Sequence, residues 1–383
     1  MKAKRTLFTF LFIIISAIIL FLSALYVYDP MQIFHKHWIA KKDSLSHNMR
    51  FQAAGIINNY KFDSVILGTS MLENTSALET SKMLGGDFFN ISLSGSSLYE
   101  RSYILDYVLR KKNIKKVLMS LDGTLNDFKF TGSSKYPIEK YNYLYDINPF
   151  NDVKVYINDK YLNCLLTLST DKVCVGNVPN MDKPNAWYRS KAHGVRFGGI
   201  DHWFNPKYSD KPLQKISNTA KKIKKGESIP ITGIENKVKL AKIYLNKTLV
   251  MYIEKYKTTE FILILPPYTR IRYSLMAQYD KPTFEVYKSM IRYLVELSTK
   301  YENMKIYGWG DRAFLDDIAN YKDTGHYHPS INVLMLKEIK DEKGLLTADN
   351  IDEYLTTFTK KALEYNLVEV GNKIDNYLKH KKK

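Results

Sequence analysis

The sequence predicts an α/β fold in three α/β/α layers, with a five-stranded, mainly parallel sheet, an inserted cap region and one N-terminal transmembrane helix. Short apolar runs that end at glycine or proline, such as residues 65–67 and 259–265, are typical of strands buried on both faces of a parallel sheet. Helix signals lie between these runs, as right-handed crossovers require. An apolar run at residues 6–28 precedes them all.

The first element is a membrane anchor over residues 1–30. Lys2, Lys4 and Arg5 precede the uncharged run, which as a helix reaches about 30 Å and can cross a bilayer. No small-x-small cleavage pattern follows, so we favour an uncleaved signal anchor over a removed signal peptide. The positive charge before the run predicts a cytoplasmic N-terminus at the cell membrane and a periplasmic or extracellular main domain.

A juxtamembrane connector (31–43) leads into the first part of the α/β domain (44–128). Successive strand-turn-helix units in this part predict a parallel sheet. The predicted strands are 65–67, 87–92 and 117–121, and the predicted helices are 44–60, one that begins at the capping box of Ser76 and Glu79, and 98–112.

From 129 to 235 the strand-helix alternation is lost. We interpret this stretch as an inserted cap or lid, because a loop of such length without structure is uncommon. Regular patterns resume in the second part of the domain (236–370), with predicted strands at 259–265 and 304–307 and predicted helices at 236–255, 283–300, 330–340 and 348–365. Residues 371–383 are interpreted as a basic C-terminal tail, disordered over 379–383.

The chain is strongly basic, with a formal net charge of +18 over 383 residues. Such a charge suggests a polyanionic partner. An exported domain does not ordinarily meet nucleic acid, so anionic envelope glycans, teichoic acids or lipid head groups are the expected contacts. Lysine is abundant throughout the chain, and general lysine enrichment without a specific basic groove would give the same sum.

Cys164 and Cys174 are the only cysteines. Outside the cytoplasm a disulfide between them can form and would close a short loop of the cap, but their spacing leaves the pairing open. Two cysteines without a neighbouring histidine do not make a metal site, and the sequence has no phosphate-binding glycine loop. We therefore expect neither a metal nor another cofactor.

Ser70 follows the strand at 65–67 in a strand-to-helix turn, at the edge where open α/β sheets bind ligands. Far downstream, Asp323 and His326 lie three residues apart in a polar turn that contains glycine. Such a pair can hold an imidazole ready to accept a hydroxyl proton, with the serine as nucleophile. A lone serine in a turn is usually a cap, but the combination favours catalytic roles for all three residues.

Four short segments carry a family resemblance: Ile-Leu-Gly-Thr-Ser-Met at 66–71, Asn-Ile-Ser-Leu-Ser-Gly at 90–95, Val-Leu-Met-Ser-Leu-Asp at 117–122 with the following Gly123 and Asn126, and Asp-Thr-Gly-His-Tyr-His-Pro at 323–329. Together they resemble the SGNH (GDSL-like) hydrolase superfamily, in particular its envelope branch of alginate O-acetylation, teichoic acid D-alanylation and peptidoglycan O-acetyl esterase or transferase proteins. Thr69 stands where the family usually has the aspartate of Gly-Asp-Ser, and the third segment has one residue more than Gly-x-Asn-Asp.

The resemblance implies an SGNH-like fold and an oxyanion hole at three successive strand ends. Its donors would be the backbone N–H groups of Ser70 and Gly95 and the side-chain amide of Asn126. His326 would serve as general base and then acid, with Asp323 as its orienting partner.

Aromatic and basic side chains provide further candidates for substrate binding. Trp187, Arg189 and His202 crowd together in the cap, where they can contact sugar rings or anions, and Tyr268 follows the strand at 259–265. For each of them, packing of the cap against the sheet is the alternative.

We therefore expect a membrane-anchored, extracytoplasmic serine esterase or O-acyltransferase that acts on a cell-envelope polysaccharide or other acylated polymer through an acyl-Ser70 intermediate. Water as acceptor gives hydrolysis and a sugar hydroxyl gives transfer, and the residues leave this choice open. An acyl-exporting membrane protein is a candidate partner. The alternative is a non-catalytic SGNH-like protein that binds glycans or assists assembly of the envelope.

Overall fold

Five parallel strands form the central sheet of the protein. The computed structural model describes residues 2–41, 43–122, 128–130, 136–177, 180–205 and 207–381. The strands are β1 (Ser64–Leu67), β2 (Phe88–Asn90), β3 (Lys116–Ser120), β4 (Glu260–Ile264) and β5 (Met304–Tyr307). Their order is β2-β1-β3-β4-β5, and every neighbouring pair is parallel. The predicted α/β fold with a five-stranded parallel sheet is confirmed.

The strand order creates a switch point beside β1. The chain first adds β2 on one side of β1 and then adds β3, β4 and β5 on the other. All four residues of β1 are buried, and Val65 pairs with Phe89 on one side and with Val117 on the other. Crevices outside the carboxyl ends of strands at such switch points are where open α/β sheets bind ligands. The residues after β1 and β3 therefore lie at the expected binding edge.

Helices connect the strands and build the inserted segment. They are α1 (Lys2–Tyr28), α2 (Met49–Asn59), α3 (Ala77–Leu84), α4 (Leu98–Lys111), α5 (Asp159–Leu166), α6 (Lys172–Val175), α7 (Lys191–Gly194), α8 (Lys211–Lys224), α9 (Ile234–Leu245), α10 (Met251–Lys255), α11 (Arg270–Ser274), α12 (Lys281–Lys300), α13 (Pro329–Lys340), α14 (Ile351–Glu364) and α15 (Leu367–His380). The π-helical segments Asn246–Val250 and Leu275–Tyr279 follow α9 and α11. The helix predicted over 236–255 thus contains a π segment.

α1 is long and apolar enough to cross a membrane. Most of its side chains are exposed, but Leu25 and Tyr28 near its end are buried. The Asp29 carboxylate then accepts hydrogen bonds from the backbone N–H groups of Ile33 and Phe34, at 2.9 and 2.8 Å. These bonds fold the connector tightly against the end of α1.

The cap segment consists of short helices and 3₁₀ turns. A disulfide joins Cys164 of α5 to Cys174 of α6, which resolves the pairing that the sequence left open. The described 3₁₀ turns of the cap are Ile138–Lys140, Asn142–Tyr145, Asp152–Tyr156, Trp187–Arg189 and Ile200–Trp203, and two more, Ala313–Asp316 and Ile318–Asn320, follow β5.

The prediction of a C-terminal tail over residues 371–383 is wrong for most of these residues. α15 continues through the proposed boundary at residue 371 to His380 and packs along α8 of the cap. Its buried positions Leu367, Val370 and Ile374 are three or four residues apart, which gives the helix one apolar face. A Cβ at Gly371 would lie 2.3 Å from Ala220 Cβ, so the two helices approach closely there. Residues 382 and 383 lie outside the described residues.

Candidate active site

Ser70 lies in a tight turn between β1 and α3. A Cβ at Gly68 would lie 2.6 Å from Ser120 Oγ and 2.8 Å from Leu72 Cβ, so the turn needs glycine at this position to pass close to β3. Ser76 caps α3 by accepting the Glu79 N–H at 2.9 Å. Together these features hold Ser70 at the carboxyl end of β1.

His326 faces this serine directly. Its Nε2 lies 2.9 Å from Ser70 Oγ. Its Nδ1 lies 3.0 and 2.9 Å from the two carboxylate oxygens of Asp323. In the tautomer that this geometry favours, Nδ1–H donates to Asp323 and Nε2 accepts the Ser70 hydroxyl proton. The structure thus brings the three predicted catalytic residues together.

The Asp323 carboxylate is itself held by the turn. Its Oδ1 accepts the backbone N–H groups of Gly325 and His326, at 2.9 and 2.8 Å. Burial acts to raise the pKa of Asp323, but the hydrogen bond and charge of His326 and these two N–H groups outweigh it and hold the pKa well below its usual range. Asp323 is therefore ionised and able to stabilise a positive charge on His326.

His328, two residues beyond His326, has another role. Its Nδ1 lies 3.2 Å from the Ser330 backbone N–H at the start of α13, and its Nε2 lies 2.8 Å from the Tyr188 hydroxyl. The ring caps a helix and contacts the cap segment. It is His326, and not His328, that contacts Ser70.

The predicted oxyanion donors are placed only in part. Gly95 lies between β2 and α4, at the same sheet edge as Ser70, because β1 and β2 are parallel. Its φ of +60° is in the left-handed region that favours glycine, and a Cβ there would meet nothing within 4 Å. The Gly95 backbone is therefore open at this edge. Asn126, with Gly123, lies outside the described residues.

Of the four predicted substrate-binding residues, the structure brings two to the site. Trp187 donates its indole N–H to the Ser70 carbonyl oxygen at 2.7 Å, and its ring lies edge-on to the His326 ring with centroids 5.5 Å apart. Tyr268 lines the cavity that contains Ser70. Arg189 instead donates to the Lys183 carbonyl at 2.6 Å, and His202 contacts the Val195 carbonyl at 3.0 Å. Neither Arg189 nor His202 is among the residues that line the cavity at Ser70.

The cavity beside Ser70 has a volume of about 990 Å³. Ser70 and His326 line it together with residues of α8 and of the Leu275–Tyr279 segment. Arg272 also lines it, and its guanidinium lies 3.9 Å from the centroid of the Tyr268 ring. Arg272 was not among the predicted site residues, although its spacing of four residues from Tyr268 suggests the contact.

Two buried ionisable groups, Lys322 and Glu73, were also not predicted. Lys322 lies with Nζ 3.6 Å from the Trp187 ring centroid and 3.3 Å from His193 Nδ1, and burial lowers its pKa to about 8. Burial raises the pKa of Glu73 to about 8, although the Ser94 backbone N–H and the charge of Lys322 act to lower it. The sequence offered one indication of their placement, since Lys322 precedes Asp323 and Glu73 lies three residues after Ser70.

Within the described residues, no group of three or more His, Cys, Asp and Glu side chains could hold a metal ion. Compared with known proteins, the chain matches no protein-family model, no curated protein and no solved structure.

Proposed function

We propose that the protein is a membrane-anchored, extracytoplasmic serine esterase or O-acyltransferase of the SGNH type, acting on a cell-envelope polysaccharide. One observation carries the proposal: Ser70 Oγ, His326 and Asp323 form a continuous relay with contacts of 2.9 to 3.0 Å. A serine in a strand-to-helix turn at the switch point of a parallel sheet, in contact with an oriented imidazole, is arranged for acyl transfer.

The reaction would proceed in two halves. Ser70 Oγ attacks the ester carbonyl carbon and its proton passes to His326 Nε2, while ionised Asp323 stabilises the resulting imidazolium. The tetrahedral intermediate collapses, and the alcohol leaves with the proton from Nε2, so that Ser70 carries the acyl group. Water or a sugar hydroxyl then gives its proton to Nε2 and attacks the acyl carbon. The second tetrahedral intermediate collapses as Nε2 returns this proton to Ser70 Oγ, which regenerates the serine hydroxyl. Hydrolysis and transfer differ only in this acceptor.

The oxyanion donors in this proposal come from the family resemblance. They are the backbone N–H groups of Ser70 and Gly95 and the amide of Asn126. The left-handed, open backbone at Gly95 supports the second of these assignments. The strand order, with its switch point beside Ser70, supports the SGNH-like fold.

Charge and the apolar helix support the proposed location and substrate. A net charge of +18 suits anionic envelope polymers better than neutral ones. α1 would anchor the protein in the cell membrane with Lys2, Lys4 and Arg5 on the cytoplasmic side, and the disulfide between Cys164 and Cys174 suits an oxidising compartment. For transfer, an acyl-exporting membrane protein would supply the acyl group.

Labelling with a fluorophosphonate tests the proposal. The full-length wild type should form a covalent adduct, and Ser70→Ala should form none. Ser209→Ala is the matched control, because Ser209 lines the same cavity without an adjacent imidazole-carboxylate pair, and this variant should label like the wild type.

A non-catalytic glycan-binding protein is the second candidate. It is favoured by the aromatic cluster above Ser70, in which the Trp187 and Phe197 rings lie nearly parallel with centroids 6.4 Å apart. Aromatic faces of this kind contact sugar rings. Absence of any Ser70-dependent adduct in folded wild type would contradict the enzyme proposal and favour this alternative.

A further inference from the structure

The cavity at Ser70 is much larger than an acetyl group requires. Its volume of about 990 Å³ lies near the top of the range of roughly 300 to 1,000 Å³ in which whole small-molecule ligands are bound. Ser70 and His326 form part of its wall, so a group esterified to Ser70 would enter this space. A short acyl group would leave most of it unfilled.

One wall of the cavity belongs to α8. Leu213, Ile216 and Thr219 are spaced three residues apart and therefore lie on one face of the helix, and all three line the cavity. Leu213 and Ile216 are buried. Leu213 and Ile216 present methyl and methylene groups to the interior, and the polar side chains that α8 adds to the lining are those of Thr219 and Lys215.

A second wall is formed by the Leu275–Tyr279 segment. Leu275 and Met276 line the cavity there, and this segment packs against α8. The Ile229 backbone N–H donates to the Tyr279 carbonyl at 2.8 Å, which brings the Ile229 side chain to the same cavity. The cavity that contains Ser70 is thus lined by aliphatic side chains from α8, from the Leu275–Tyr279 segment and from Ile229.

Polar groups of the cavity belong mainly to other residues. Arg196, Arg272, Lys215, Asp210 and Asp280 also line it, and Asp210 is bound to Lys381 at 2.7 Å. A sugar placed against the aliphatic side chains would lose hydration from its hydroxyls without matching partners, which is costly. An alkyl chain there gains free energy with each methylene removed from water.

We propose that the apolar part of this cavity binds the acyl chain of the Ser70 ester, and that the acyl group is a medium-length fatty acyl chain. This inference rests on the proposed esterase or acyltransferase function and specifies its substrate class. The carbonyl would lie at Ser70 Oγ and His326, and the chain would lie in the cavity against the aliphatic side chains of α8 and the Leu275–Tyr279 segment. Trp187 covers Ser70 from the cap side.

A chain-length series tests the inference on full-length protein in nanodiscs. We compare kcat/KM for p-nitrophenyl acetate, butyrate, octanoate and decanoate, each below its micellar concentration and each against Ser70→Ala. Burial of one methylene is worth about fourfold in kcat/KM. Octanoate should therefore exceed acetate by on the order of 100-fold, allowing for incomplete burial.

The variant Met276→Trp tests whether the cavity causes this chain-length preference. The larger ring would occupy part of the cavity that Met276 lines, so the ratio of octanoate to acetate kcat/KM should fall by on the order of tenfold. Ile229→Trp gives the same readout at an exposed position if Met276→Trp does not fold. Leu240→Trp is the control, because Leu240 is half-exposed on α9 outside the cavity, and it should keep the wild-type ratio.

The outcomes separate the two proposals. Ser70-dependent hydrolysis in which acetate equals or exceeds octanoate would overturn the acyl-chain inference and leave the proposed function intact. An octanoate preference that both tryptophan variants retain would also overturn it. Absence of Ser70-dependent turnover at every chain length, together with absence of a fluorophosphonate adduct, would overturn the proposed function as well.

Discussion

His326 Nε2 lies 2.9 Å from Ser70 Oγ, although 256 positions separate the two residues in the chain. The contact arises because the turn after β1 and the turn before α13 meet at one edge of the sheet. An isolated antiparallel bridge between Tyr321 and Tyr327 closes the second turn, and both tyrosines are fully buried. The position of the imidazole is therefore fixed by the core as well as by Asp323.

Asp323→Asn should reduce kcat for a Ser70-dependent ester substrate by on the order of 10⁴-fold. The amide can donate to Nδ1, which favours the tautomer with the proton on Nε2, and that tautomer cannot accept the Ser70 proton. Steady-state kinetics with circular dichroism as a check on folding measure the effect.

His202→Gln is the control for this prediction. The His202 ring contacts the Val195 carbonyl and does not line the cavity, so this variant should keep the wild-type kcat. A wild-type kcat in folded Asp323→Asn would show that Asp323 does not orient the base.

Glu73 should make the protein less stable as the pH rises from about 5 to 8. Burial raises the pKa of its carboxyl from 4.5 to about 8 in the folded state. Between these values the folded state binds more protons than the unfolded state, so the free energy of unfolding falls with pH by about 1 kcal/mol per unit from this group. Glu73→Gln should flatten that decline, as measured by urea unfolding at a series of pH values.

Glu302→Gln provides the comparison for the pH series. Glu302 is exposed in the turn after α12, so its removal should leave the wild-type pH dependence. Above pH 8, Lys322 has the opposite effect and makes the free energy of unfolding rise with pH. Burial lowers its pKa from 10.5 to about 8, so between these values the folded state binds fewer protons than the unfolded state. A Glu73→Gln variant with the same slope as wild type between pH 5 and 8 would contradict the assignment.

The sheet and the triad were predictable because their signals are local. β1 is a continuous apolar run that ends at Gly68. Asp323 and His326 lie within one turn, so the sequence alone indicated that they form a pair. α15 was not predicted because lysines dominate the composition of its end, and the apolar spacing of Leu367 and Ile374 becomes informative only once α8 is in place to cover it.

Contacts made by the cap were not predictable, because they depend on how the cap docks. Nothing near Trp187 in sequence indicates that its indole N–H bonds the Ser70 carbonyl, 117 positions away. Burial of Glu73 and Lys322 likewise depends on tertiary packing and not on their neighbours in the chain. Arg189 and His202 resembled Trp187 in composition and position, yet their side chains bond within the cap.

Loss of the disulfide should destabilise the protein without abolishing catalysis. Cys164 and Cys174 are separated by 10 positions, and closing a loop of this size is worth roughly 2 to 3 kcal/mol in the chain-entropy model. The double variant Cys164→Ser and Cys174→Ser should therefore unfold at a lower urea concentration and still form the fluorophosphonate adduct at Ser70. Wild type treated with reductant should reproduce the shift, and equal midpoints for oxidised and reduced protein would refute it.

Arg270 and Arg272 lie on the same short helix and should respond differently to the same substitution. Arg270 is fully buried and donates to the Asp316 carboxylate at 2.6 Å and to the Arg312 carbonyl at 2.7 Å. Arg270→Gln should lower the free energy of unfolding by about 3 kcal/mol, because it leaves these acceptors without their cationic donor.

Arg272 lines the cavity over the Tyr268 ring and forms no salt bridge within the described part of the chain. Arg272→Gln should leave the free energy of unfolding within about 0.5 kcal/mol of wild type. It should raise KM for an ester with an anionic alcohol portion by roughly 5-fold to 30-fold, because a charged hydrogen bond is lost. Neutral esters should show no such change, and Arg272→Lys should restore part of the affinity. Equal KM increases for neutral and anionic esters would instead indicate that Arg272 shapes the cavity without recognising charge.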